Sequence, residues 1–101
     1  MATVDRDIVR QLRDTARQGA SVPDILRKLI SLLPQGNVHK VTLIEYMRRT
    51  FCLTLEQASP IPGWTPERTG ELNDARLNEL IMPDIQRNRA SWDRELAAPT
   101  T

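Results

Sequence analysis

The chain has 101 residues, 40% of them hydrophobic, with 14 Lys or Arg, 13 Asp or Glu and a formal net charge of +1. That length suits one domain with one small core, and 24 Leu, Ile and Val residues make the core aliphatic and exclude wholesale disorder. Near-neutrality lacks the basic excess of a dedicated nucleic-acid binder, no stretch approaches the roughly 20 apolar residues of a membrane span, and the single Cys52 excludes an internal disulfide.

The spacing of Ile8, Val9, Leu12 and Ala16 predicts a first helix from about Asp5 to Gln18, with Gly19 placed to end it. Ser21 can cap a second helix, with Pro23 near its first turn and Asp24 at the capping-box position. Its Ile25, Leu26, Leu29, Ile30, Leu32 and Leu33 cover so much of the circumference that this helix belongs at the centre of a bundle, before Pro34 and Gly36 stop it. Asn37 is the expected cap of a third helix, whose buried face reads as Val38, Val41, Ile44, Tyr46, Met47 and Phe51, broadened by Leu43. Thr54 then opens a short element in which Gln57 completes a capping box while Leu55 and Ala58 point inward, and Pro60 cuts it off.

From Pro60 to Gly70 the chain holds three of its seven prolines and two of its four glycines, the composition of a long loop, and this loop carries Trp64. Beyond it, Leu72, Leu77, Leu80 and Ile81 predict a helix starting near Asn73 or Asp74. Pro83 either kinks that helix or begins a new one, in which Ile85, Trp92 and Leu96 share a face. The tail from Ala97 should fray. No segment alternates as a strand does, so the expected fold is an all-α single domain over residues 1–101: a compact bundle of four to six short helices with one long Pro/Gly/Trp loop.

Arg6, Arg10, Arg13 and Arg17 fall within an arc of about 60° on the first helix. Such a stripe can meet phosphates or an acidic partner, because guanidinium forks match pairs of oxygens; it can equally be a solvated flank, since Asp7 and Asp14 border it. Charge is also divided unevenly along the chain. Residues 1–50 carry nine Lys or Arg against five Asp or Glu, a net +4, whereas residues 51–101 carry five against eight, a net −3. Two halves of opposite sign can attract each other, and a surface of two signs suits a protein partner better than a nucleic acid.

His39 and Cys52 are the only residues of their kinds. On one continuous helix they would stand about 19 Å apart, too far for a nucleophile and its base, and Cys52 reads as a small buried hydrophobe. No carboxylate pair, Gly-rich phosphate cradle, zinc spacing or calcium loop is present in the sequence, so neither a catalytic residue nor a cofactor is expected. Trp64 and Arg68 are of the types that dominate interface hot spots, although Trp64 could instead fold down and plug the bundle.

The run from Lys40 to Ala58, with Lys40, Ile44, Arg48, Leu53, Leu55 and Ala58, resembles the helix pair of the bacterial ribosomal stalk protein's C-terminal domain, except that Cys52 stands where that family has Gly and Pro60 interrupts the second helix. The match covers about a fifth of the chain and implies a shared way of packing two helices. More broadly, the Gly-Ala-Ser-Val-Pro run after the first helix, Gly63-Trp64 and the Gly-Glu-Leu-Asn-Asp run from Gly70 to Asp74 resemble small helical bacterial proteins, some of them immunity proteins of toxin systems. That resemblance implies a stoichiometric protein binder. The resulting expectation is a non-catalytic, cytoplasmic protein-interaction module engaging a partner through Arg6, Arg10, Arg13, Arg17, Trp64 and Arg68. A helix-turn-helix reader using Lys40, Arg48 and Arg49 and a self-associating protein are the alternatives.

Overall fold

The computed structural model describes residues 4–34, 36, 38–67 and 69–97, the last four as backbone only. Six α-helices form: α1 (Arg6–Arg17), α2 (Val22–Leu32), α3 (Lys40–Phe51), α4 (Leu55–Ala58), α5 (Asp74–Arg87) and α6 (Arg89–Ala97), with a 3-10 turn over Ile61–Gly63. There is no strand among the described residues, so the all-α class stands.

Helix α1 starts where the Asp5 carboxylate accepts the Asp7 amide at 2.8 Å, and it ends at Gly19, whose φ is +90°. The Gly19 amide bonds Ala16 O and the Ala20 amide bonds Thr15 O, a Schellman closure that needs a residue free to turn left-handed. At the start of α2, Ser21 Oγ accepts the Asp24 amide, while the Val22 amide is taken by Asn78 Oδ1 of α5 at 2.8 Å. Helix α2 packs against α1, α3 and α5 and keeps Val22, Ile25, Leu26 and Leu29 wholly from water, the central position its apolar circumference predicts.

The buried face of α3 is Leu43, Tyr46, Met47, Thr50 and Phe51, narrower than expected and rotated. Val38 and Val41 are exposed, at 36% and 66%. At 100° per residue Val41 lies about 120° from Met47, outside a stripe centred there, so packing chooses one face from an apolar set too wide for it. Asn37, the expected cap, lies outside the described residues. His39 occupies the cap position with no side-chain bond to the helix. In α4 the Thr54–Gln57 capping box forms in both directions, yet Leu55 is 61% exposed because a single turn offers one inward place and Ala58 takes it.

Cys52 joins these two helices in the left-handed region, φ 55° and ψ 40°, and is exposed rather than buried. A left-handed residue after a helix turns the chain sharply, which here sends Leu53 into the core and leaves the Cys52 side chain outside. A Cβ at this φ costs about 1–2 kcal/mol, more than glycine's extra unfolded-state entropy. Cys52→Gly is therefore expected to raise Tm by several degrees in a thermal melt; a lowered Tm would contradict this account of the corner.

The expected long loop is partly ordered. Pro60 and Pro62 fix φ for a 3-10 turn over Ile61–Gly63, and the Leu72 amide closes the irregular chain behind it onto Gly63 O at 2.9 Å. Gly70 permits that closure, since a Cβ there would stand 2.5 Å from Gly63 O. Helix α5 begins at the Asn73 cap and continues through Pro83 to Arg87, so the break falls at Asn88 instead. Ile85 and Trp92 consequently lie on different helices. They meet all the same, because Trp92 Nε1 donates to Ile85 O at 2.9 Å and the ring packs edge-on against Phe51, 5.2 Å between centroids. The Leu96 side chain and the tail beyond Ala97 lie outside the described residues.

Candidate partner-binding surface

The four stripe arginines share one side of α1, but they do different work. Arg6 and Arg10 are exposed; Arg10 keeps 64% of its side chain in water, with Asp7 at 4.0 Å. Arg13 is only 4% exposed, and its Nε donates to Thr50 O at 2.9 Å while Nη2 reaches Arg49 O at 3.3 Å. Those carbonyls belong to the last turn of α3, where a helix has no internal donors left and a cation is favoured by the helix dipole. Arg17 bonds Asp14 at 2.7 Å and Asp93 of α6 at 2.6 Å. Arg13 and Arg17 therefore tie α1 to α3 and α6, and the free stripe shrinks to Arg6 and Arg10, with the exposed Arg49 of α3 beside the level of Arg13.

Asp93 lies between Arg17 and Arg89, and hydrogen bonds from those two guanidiniums, Arg17's first, hold its carboxyl below the ordinary 3.8. A carboxylate with a lowered folded-state pKa stabilises fully above its unfolded value and loses that contribution as pH falls through the lowered one. In urea titrations the midpoint difference between the parent chain and Asp93→Asn should be constant near neutrality and close below about pH 4. A difference undiminished in strong acid would assign the effect to something other than ionisation.

Trp64 is 2% exposed and faces α2 and α5. Its Nε1 donates to Asp74 Oδ1 at 2.8 Å, and the Arg27 guanidinium stacks over its ring, 5.2 Å from the centroid. Arg27 also grips both carboxylate oxygens of Asp74, at 3.0 and 3.2 Å, and reaches Pro66 O at 3.3 Å. The indole is thus the plug of the bundle and is covered as a contact residue. Arg68 lies outside the described residues. The two oppositely charged halves are joined by the pairs Arg27–Asp74 and Arg17–Asp93.

No protein-family model, curated protein or solved structure matches the chain.

The basic residues of α3 are partly engaged as well. Lys40 Nζ donates to Pro62 O at 2.7 Å and Arg48 Nε to Leu53 O at 3.3 Å, so two of the three side chains that a DNA-reading helix would use hold local backbone instead. His39 and Cys52 sit beyond opposite ends of α3, and His39 Nε2 is 3.0 Å from Gly36 O. Among the described residues, no group of three or more His, Cys, Asp or Glu could hold a metal ion, and no helix is long and apolar enough to cross a membrane.

The sequence pattern singles out neither Arg27, Asn78 nor Asn88, and marks Asp74 only as a helix start. The Asn73-Asp74 pair before an apolar run marks a helix start, but nothing local signals that Asp74 receives Trp64 and Arg27 from elsewhere.

Proposed function

We propose that this chain is a non-catalytic, cytoplasmic binding domain that engages an acidic surface of another protein through the exposed end of α1. The observation carrying this reading is the division of the stripe: Arg13 and Arg17 are spent on anchoring α1, while Arg6 and Arg10, one turn apart on the same rigid helix, keep their guanidiniums in water. Two forks about 6 Å apart can each grip a carboxylate at little ordering cost, because the backbone beneath them is fixed by buried bonds. Neutralisation of a toxin by occlusion is the specific role this reading favours, in keeping with the resemblance to immunity-type proteins.

Arg6→Glu with Arg10→Glu tests the surface without touching the core, whereas Arg13 and Trp64 are unsuitable probes because both are buried. A partner from the native host that the parent retains and the double variant loses at least tenfold supports the proposal. Equal retention by both forms overturns it. Retention of DNA instead, with a steep loss of affinity on adding salt, moves the chain to the nucleic-acid-binding class.

A further inference from the structure

Helix α6 packs against α1, α3 and α5, and its described side chains, residues 89–93, reach them through Trp92 and Asp93. Trp92 is 1% exposed against Phe51, with Arg89 over its ring at 5.7 Å, and Asp93 bonds Arg17, whereas Ala90 and Ser91 face water. One residue separates α6 from α5. Asn88 has φ −88° and ψ 2°, about 45° in ψ from a helical residue. Side chains hold the break: Asn88 Nδ2 donates to Phe51 O and Cys52 O at 3.1 and 3.0 Å, and Trp92 Nε1 occupies Ile85 O, the carbonyl an uninterrupted helix would give to the Arg89 amide.

From this geometry we infer that α6 is an exchangeable arm whose second docking site is another copy of this chain. Rotation at Asn88 merges α5 and α6 into one helix and draws Trp92 out of its socket between α1, α3 and α5. The apolar surface so exposed on each chain is covered again when the Trp92 of one copy enters the socket of the other and its Asp93 meets the other copy's Arg17. The Trp92–Phe51 and Asp93–Arg17 contacts of the closed monomer recur between chains, and the Ile85 carbonyl passes from Trp92 Nε1 to the Arg89 amide of the merged helix, so little is lost in the exchange. The socket fits this occupant because its shape and its charge, Phe51 beneath and Arg17 at the rim, already match that arm. This inference is independent of the reading of Arg6 and Arg10.

Two variants test it. Asn88→Ala and Asn88→Gly both remove the Nδ2 bonds at the break, but Ala favours a continuous helix across residue 88 whereas Gly opposes one. Light scattering at high protein concentration should give twice the 11.5 kDa chain mass for at least tenfold more of the Ala form than of the Gly form. Equal dimerisation of the two, or none by either, overturns the inference. A charge-swap pair identifies the contact without disturbing the core. Arg17→Asp and Asp93→Arg chains each oppose like charges within the chain, but in a mixture every arm meets an opposite charge by crossing to the other chain. Dimer should therefore appear in the mixture at least tenfold above either chain alone; a mixture that behaves as the average of its components overturns the exchange.

Discussion

Trp64→Ala is expected to destabilise the fold by about 3–5 kcal/mol, a large part of the roughly 5–15 kcal/mol available to a domain of this kind. The indole is the largest side chain in the segment between α4 and α5, and its removal leaves a cavity, an Arg27 with no ring to stack on and an Asp74 oxygen short of one donor. Urea denaturation followed by circular dichroism reads the loss as a fall in midpoint. Trp64→Phe separates the contributions: it keeps most of the ring and removes the Nε1–Asp74 bond, so about 1–2 kcal/mol is expected. If the Phe form were as unstable as the Ala form, the hydrogen bond rather than the packing would dominate, and the plug would have to be redescribed as a polar knot.

The second large effect distinguishes two residues that look alike on a helical wheel. Arg13→Ala should cost about 2–4 kcal/mol, because it strands the Thr50 and Arg49 carbonyls at the end of α3 and empties a buried volume, whereas Arg10→Ala should cost less than about 0.5 kcal/mol. Paired urea curves of the two single variants decide the matter. Equal losses would mean that the stripe acts as a uniform surface and that its division into anchor and free end is mistaken.

The helices were readable because their ends carry local signals. Asp5, Ser21, Thr54 and Asn73 all cap as their chemistry dictates, and Gly19 closes α1. Faces were less readable than ends. Val41 and Leu55 look like core residues by periodicity and are not, because an apolar set wider than one face is resolved only by the neighbour that packs there. The stripe illustrates the same limit with charge. Four arginines at helical spacing are equivalent until α3 ends beside one of them and Asp93 beside another, and both coincidences arise from residues dozens of positions away. Thr50 Oγ1, buried on the same face of α3, has no hydrogen-bond partner among the described residues, which nothing in the sequence pattern foreshadows.

Asn78 and Asn88 finish helices to which they do not belong. The first amide of α2 receives its acceptor from a residue 56 positions downstream, and the Phe51 and Cys52 carbonyls at the end of α3 receive their donor from 37 and 36 positions downstream. Helix α1 closes with its own neighbours, but one end each of α2 and α3 keeps a backbone group that only a residue much later in the chain can satisfy. Local signals can start these two helices, but their completion waits for loops of that length to shut. Closure over such sequence separations makes the fold a cooperative unit, not one that grows outward from its first helix.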